Sequence, residues 1–342
     1  MTALNEVRPR TIALDELRNA PVAFDYDTMS LVPRVASGLE HRADARPSVR
    51  LGSSTLEIPL VGSPMPDVCG PAMCRALAEE GALGILHRFL PIEEQASYVR
   101  ELAGGGAARP VAAALGVTGD WQSRFLALHE AGCGIVCLDT ANGAHDQVAK
   151  TMAWLHAEAP DVFLIAGNVA SKEAFRWLED HGADAIRVGI AGGSVCETRT
   201  ETGVYVPTPY AVAEAASVRK RALIIGDGGV RTPADLCKLL ALGADLAMVG
   251  SALAGTDEAP GRPIAVEGKT YKIMRGAASF SVQQEAGNLD PKYVEGAETM
   301  VPTKGPAAGV VRRYLAGLRS SMAYLDARTL DEYREHASFV RL

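Results

Sequence analysis

Residues 163–190 read FLIAGNVASKEAFRWLEDHGADAIRVGI. A short apolar run, FLIAGNV (163–169), opens the stretch and a second, AIRVGI (185–190), closes it. Between them SKEAFRWLEDHG (171–182) spaces its apolar residues three and four apart, the pattern of one helix face. Strands that are apolar throughout have no wet face, so such a unit implies a parallel sheet covered by helices. The alternation recurs along the chain. Further apolar runs are IPLVGSP (58–64), LGILHR (83–88), VAAALG (111–116), GIVCLDT (134–140), LIIGDGG (223–229) and LAMVGS (246–251). Helical stretches such as GPAMCRALAEEG (70–81), DQVAKTMAWLHAEA (146–159) and TPADLCKLLALG (232–243) lie between them. Eight units predict an α/β fold of one domain over residues 1–342, a closed (β/α)8 TIM barrel. A doubly wound open sheet is the alternative, weakened because no GxGxxG follows the first strand. Residues 1–50 read as an N-terminal extension and 262–304 as an excursion after the eighth strand. GVVRRYLAGLRSSMAYL (309–325) and TLDEYREHA (329–337) are the closing helices.

Composition narrows the function. At 342 residues and 48% hydrophobic, the chain can bury a large core. The formal charge is -7 and no Lys/Arg cluster stands out, which argues against a nucleic-acid partner. An anionic ligand must therefore be held locally, by backbone N–H groups and placed cations. No run reaches membrane-spanning length, and the N-terminus lacks the apolar core of a secretory signal. The six cysteines form no CxxC pair and no zinc spacing, so no metal centre is expected. Free thiols fit a reducing, cytoplasmic compartment. Cys133 and Cys137, in CGIVC, read as core.

In such barrels the C-terminal strand ends carry function. The sixth gives GGSVCETRTETGV (192–204), a lone thiol in a polar, glycine-rich turn. Gly192-Gly193-Ser194, Asp227-Gly228-Gly229 and Gly250-Ser251 sit at the ends of the sixth, seventh and eighth strands. They can converge as a backbone cradle for one phosphate, or each can simply make a tight turn. Asp227, an anion itself, suits ribose hydroxyls rather than phosphate. Cys196 can be a small structural residue or, in a phosphate-binding mouth, a nucleophile toward an electrophilic ring carbon. Arg199 and a following helix place positive potential beside it; Glu197 places negative.

These residues resemble the IMP dehydrogenase/GMP reductase family. Its catalytic loop runs roughly G-x-G-P-G-S-x-C-x-T-R, and this chain has Gly189-Ile190-Ala191-Gly192-Gly193-Ser194-Val195-Cys196-Glu197-Thr198-Arg199. IIGDGGVRTPADLCKLLALGADLAMVGSALAGTDEAPG (224–261) is similar to the family's seventh and eighth units, and residues 304–342 to its ending. The resemblance implies that Cys196 attacks C2 of a purine nucleoside 5′-monophosphate. The dehydrogenase branch then passes hydride from IMP to NAD and hydrolyses the adduct to XMP. The reductase branch expels ammonia from GMP and takes hydride from NADPH.

Three features favour the reductase. The regulatory insertion (a pair of CBS modules) that dehydrogenases usually carry between the second and third units is missing. The fourth strand ends in Asp139-Thr140-Ala141-Asn142-Gly143, close to the reductase D-V-A-N-G. Residues 277–294, AASFSVQQEAGNLDPKYV, contain none of the Arg-Tyr pairing of the dehydrogenase flap, whose Arg helps activate water. The resemblance assigns Thr198 and Glu295 as the acid/base relay to ammonia. It places Gly193, Ser194, Asp227, Gly228, Gly229, Gly250, Ser251, Gly276, Ala277, Ala278 and Gly296 at the nucleotide. It places Arg88, Asp139, Asn142 and Gly189 toward NADPH, though Arg88, Asp139 and Asn142 can equally be structural caps. A K+ ion can sit on the carbonyls of Ala191, Gly193 and Cys196, and a homotetramer is implied. Departures cluster at the substrate: Met65-Pro66-Asp67-Val68 replaces M-D-T-V, and Ala277 stands where a Met usually lies against the purine. The smaller side chain leaves room for a 7-substituted 7-deazaguanine nucleotide, as in nucleoside-antibiotic biosynthesis, with GMP the plain alternative. The competing expectations are an IMP dehydrogenase, or a purine-nucleotide-binding paralogue without turnover.

Overall fold

Each of the eight apolar runs becomes a strand of one closed parallel barrel. The strands are β1 (Leu60–Gly62), β2 (Leu83–Leu86), β3 (Val111–Leu115), β4 (Cys133–Asp139), β5 (Phe163–Val169), β6 (Ala185–Val188), β7 (Leu223–Asp227) and β8 (Leu246–Val249). Each strand pairs with its sequence neighbours, and β8 closes on β1 through Ala247↔Leu60 and Met248↔Val61. Closure rules out the open sheet. The computed structural model describes residues 20–342 apart from 106–110, 286 and 289. The first nineteen residues of the expected extension lie outside the described ones.

The helices follow from their periodicity. They are α1 (Pro71–Glu79), α2 (Ile92–Gly104), α3 (Trp121–Glu130), α4 (Asp146–Glu158), α5 (Lys172–Asp180), α6 (Thr208–Val218) and α7 (Pro233–Ala241). In α5 the apolar face buries Phe175 and Leu178, and Ser171 caps the start by accepting the Ala174 N–H. α8 (Ala307–Tyr324) packs against both α7 and α1, which completes the ring of helices. Cys133 and Cys137 are buried in β4. No helix among the described residues is long and apolar enough to cross a membrane.

The two flanking segments have structures of their own. The excursion builds an antiparallel sheet of β9 (Ile264–Val266), β10 (Lys269–Arg275) and β11 (Glu298–Pro302), in that order. Lys272 anchors it to the barrel: its buried ammonium donates to the carbonyls of Thr256 (2.8 Å), Asp257 (3.2 Å) and Ala259 (2.6 Å). In the N-terminal segment, Met29–Leu31 pairs with Phe339–Arg341, and a hairpin of Val49–Leu51 and Ser54–Leu56 follows. The turn at Asp25-Tyr26 reaches the barrel mouth, where both residues line the main cavity.

Candidate active site

The loop after β6 is shaped by close approach. Gly189 has φ +139, and a Cβ there would lie 1.8 Å from the Asp227 carbonyl oxygen, so only glycine lets the ends of β6 and β7 meet. Ala191 adopts a left-handed φ of 62. The Cys196 N–H then donates to the Gly193 carbonyl at 3.2 Å, which folds the turn under the sulfur. A five-residue helix, Thr198–Thr202, follows and ends at Gly203. Five of the six cysteines are buried; Cys196 alone is partly exposed, in the wall of the cavity.

The three residues expected to act together are in contact. The Cys196 thiol donates to Thr198 Oγ1 at 3.3 Å, and Thr198 Oγ1 donates to Glu295 Oε2 at 2.7 Å. Backbone pairing carries Glu295 there across the sequence. Glu197 N–H donates to the Glu295 carbonyl at 2.8 Å, and Ala297 N–H to the Val195 carbonyl at 2.9 Å. Gly276 N–H donates to the Ala297 carbonyl, also at 2.9 Å, so the entry and exit of the 277–294 segment stack on the catalytic loop. A Cβ on Gly276 would lie 2.7 Å from the Val195 carbonyl and 2.9 Å from Gly296 Cα, which leaves no room for a side chain. The line from sulfur through hydroxyl to carboxylate is a ready path for a proton.

Around this line lies a cavity of about 530 Å³ at the C-terminal ends of the strands. The three glycine-rich turns all line it. Two are in contact: a Cβ on Gly228 would sit 3.0 Å from the Gly192 backbone. Gly276, Ala277, Ala278 and Gly296 also line the cavity, with Met65 and Met274 close to Gly250. Tyr26, which carries no sequence signal of its own, donates its hydroxyl to the Gly228 carbonyl at 3.0 Å.

The cavity floor is polar, and its centre is a residue that the apolar reading of β6 hid. Arg187 is 6% exposed. Its Nη1 donates to Asp139 Oδ1 at 2.9 Å; Nη2 and Nε donate to Asp227 Oδ2 at 2.9 and 3.2 Å. Burial alone would lower the Arg187 pKa, but Asp227, Cys137 and Asp139 outweigh it and hold the guanidinium well above its ordinary value. Asp139 shows the converse: burial would raise it, and Arg187 and Arg88 hold it below the usual carboxylate range. The signal was present as one charge inside AIRVGI, a run otherwise wholly apolar.

Asp227 Oδ2 also accepts from Asn168 Nδ2 at 2.7 Å. That crowding on one oxygen leaves Oδ1 for a ligand hydroxyl. Asn168 Oδ1 is buried without a partner among the described residues, and Asn168 lines the cavity. A buried acceptor of this kind asks for a donor from a ligand. Arg88 uses Nε on Asp139 Oδ2 at 3.1 Å and rests on the Phe89 ring, 4.7 Å from its centroid, with both Nη groups unspent among the described residues. This donor and acceptor set fits a cofactor bearing hydroxyl, amide and phosphate groups. Asn142 is placed differently from Arg88, Asp139 and Gly189. It lies outside the cavity wall, exposed, and its Oδ1 accepts the Ala144 N–H at 3.2 Å within its own turn.

The Met65-Pro66-Asp67-Val68 step has a partner. Asp67 forms a two-pronged pair with Arg275, at 2.8 Å through both Nε and Nη2, and also accepts the Arg275 N–H at 2.9 Å. This ties the turn after β1 to the residue that precedes Gly276. His87 is buried beside the pair. Burial is the main reason that its pKa falls from 6.5 to about 4; Asp67 opposes the shift and Arg275 adds to it. The folded protein therefore resists a proton that the unfolded chain accepts near pH 6.5. Stability should be full above that pH and fall as pH drops toward 4, by about 3 kcal/mol from this residue. Urea midpoints at pH 7 and pH 4.5 measure it. His87→Gln should flatten the dependence, and an unchanged pH slope in that variant would assign the loss elsewhere.

With the geometry in view, the likeness to known proteins is informative. Residues 23–342 match the model of the IMP dehydrogenase / GMP reductase domain. Inosine-5′-monophosphate dehydrogenase of Aquifex aeolicus is 43% identical over 242 residues, covering 68% of this chain and 49% of that protein. The Streptococcus pyogenes dehydrogenase is 40% identical over 247 residues, covering 68% of this chain and 50% of its own. The chain thus spans about half the length of the curated relatives that it matches. Among solved structures, a GMP reductase variant from Trypanosoma brucei in complex with guanosine 5′-monophosphate superposes with a TM-score of 0.90. That match is 27% identical and covers 96% of this chain and 97% of the other. A domain match across nearly the whole barrel, together with this fold, means that the chain belongs to the IMP dehydrogenase/GMP reductase family.

Proposed function

We propose that the protein reductively deaminates a guanine-type nucleoside 5′-monophosphate with NADPH, through a covalent Cys196–C2 adduct. The substrate is GMP, which would give IMP and ammonia, or a 7-deazaguanine nucleotide that reacts identically at C2. The observation that carries this reading is the continuous Cys196–Thr198–Glu295 line at 3.3 and 2.7 Å.

Turnover uses that line twice. Cys196 Sγ forms a bond to C2, and its proton passes through Thr198 to Glu295. The C2–amino bond then breaks, and Glu295 returns the proton through Thr198 to the departing ammonia. When bound, the nicotinamide supplies the hydride that reduces C2. The S–C2 bond breaks last, its electron pair stays on sulfur, and Cys196 takes up a proton from solvent. The glycine-rich turns hold the phosphate, Asp227 Oδ1 the ribose, and Arg88, Asp139 and Asn168 Oδ1 the cofactor side. Ala277 leaves space at the purine's edge for a 7-substituent.

Thr198→Val and Glu295→Gln should each lower kcat about a hundredfold, with KM for the nucleotide within roughly threefold. Because the two act in series, the double variant should be no worse than the poorer single variant. Additive losses would break the relay.

Dehydrogenation of IMP with NAD is a second reading, favoured by the 43% and 40% identities to dehydrogenases. One assay separates the two. NADPH oxidation is followed at 340 nm with GMP and with 7-cyano-7-deazaguanosine monophosphate, beside NADH formation from IMP and NAD. Ammonia release with NADPH oxidation supports reductive deamination, and the better substrate names the base. NADH formation with XMP would replace this reading by the dehydrogenase.

A further inference from the structure

The turns that form the phosphate cradle offer N–H groups and the hydroxyls of Ser194 and Ser251, but no positive charge. Lys304 reaches Ser251 yet gives its ammonium to the carbonyls of Ser251 and Ala252. Four arginines line the cavity; Arg88 and Arg187 are engaged with Asp139 and Asp227, and the other two are Arg199 and Arg231. Neither guanidinium pairs with a carboxylate among the described residues. We propose that Arg199 and Arg231 form a cationic rim on the cradle that selects the dianionic phosphate of the nucleotide. This rests on the reading of the cavity as a nucleoside monophosphate site.

The rim is built rather than incidental. Arg199 lies over the Tyr205 ring, with its guanidinium carbon 4.4 Å from the centroid. A cation–π contact holds the guanidinium in place without using an acceptor, so its N–H groups remain for phosphate. Tyr205 is itself braced: its hydroxyl donates to Asp25 Oδ2 at 3.0 Å, and Asp25 Oδ1 accepts the Tyr26 N–H at 2.8 Å. The Tyr26 hydroxyl closes the brace on the Gly228 carbonyl at 3.0 Å, inside the cradle. Arg231 follows Gly228-Gly229 by two residues, where the chain leaves the cradle. Its charge and that of Arg199 both act on the Tyr205 phenol, against burial and Asp25. Both guanidiniums thus lie within electrostatic reach of one phenol at the edge of the cavity. The carboxylates beside the rim are already engaged: both Asp25 oxygens hold donors, and Asp235 Oδ2 accepts the Arg231 and Thr232 N–H groups at 2.9 and 2.8 Å, so the two guanidiniums remain for a ligand. The whole chain carries -7, so a phosphate dianion approaches against the general field and needs this local exception.

The test is equilibrium binding of GMP, with guanosine as the uncharged control, at two ionic strengths. The proteins are wild type, Arg199→Gln, Arg231→Gln, the double variant, Tyr205→Phe and Tyr205→Ala. Each arginine variant should weaken GMP binding about fivefold, and the double variant about 25-fold. Guanosine binding should not change, and the salt dependence should flatten in the double variant. Tyr205→Ala should match Arg199→Gln; Tyr205→Phe keeps the ring but loses the Asp25 bond and should fall between that variant and wild type. A general structural role would weaken both ligands equally. Unchanged GMP affinity and salt slope in the double variant would overturn the rim alone. If wild type bound no purine monophosphate, the nucleotide reading would fall and the rim with it.

Discussion

Cys196→Ala should lower turnover by about 10⁴-fold or more, while nucleotide affinity stays within roughly threefold. The sulfur is the only thiol in the cavity wall, since the other five cysteines are buried elsewhere. The nearest other nucleophile is the Thr198 hydroxyl, 3.3 Å away and already committed to Glu295. Alanine keeps the turn, because the Cys196 N–H bond to the Gly193 carbonyl is a backbone bond. Binding and turnover should therefore separate cleanly. On the proposed mechanism wild type should accumulate a nucleotide mass adduct when reduction is blocked, and the variant should not. Residual turnover above about one per cent would remove Cys196 from the chemistry.

The largest stability effect should come from Arg187→Met. Methionine fills much of the space but leaves Asp139 and Asp227 facing one another without the charge that bridges them. Breaking a buried pair from one side costs about 3–5 kcal/mol, which in a chain of this size lowers Tm by roughly 4–7 °C. The sign with pH is definite. The variant's carboxylates take up protons more readily in the folded state, so the deficit should be largest near pH 7.5 and shrink toward pH 5. Asp227→Asn in the same background should restore part of the loss. Thermal melts at the two pH values measure all of this. A deficit below about 1 kcal/mol would mean that Arg88 and Asn168 suffice to hold the two carboxylates.

The barrel was legible because its strands are apolar on both faces, a pattern that needs no knowledge of partners. IPLVGSP and LAMVGS read alike in sequence and pair side by side where the barrel closes. The loop after β6 was legible for a different reason: Gly189 through Arg199 are contiguous, so the whole motif fits in one window. What sequence concealed was contact at a distance. Asp67 and Arg275 are 208 residues apart, and Tyr26 and Gly228 are 202 apart. Neither pair has a local pattern that names its partner. Asn142 is the reverse case. Its neighbours match a family step, yet its side chain serves the adjacent turn. Arg187 stood between these extremes, visible as a misplaced charge but unreadable until Asp139 and Asp227 converged on it.

The pairing that holds Glu295 also has an evolutionary consequence. Ser279 and Gly296 form a bridge, and Gly296 bridges Cys196 in turn. The segment between them is therefore a closed loop, clipped at its neck. Its length can change without moving the carboxylate, and doubling a flexible loop adds only about 0.6 kcal/mol of closure entropy. A lineage could lengthen, shorten or exchange this stretch as an interchangeable cassette while the thiol, hydroxyl and carboxylate stay in register. One scaffold can in this way carry different loops over the same three side chains.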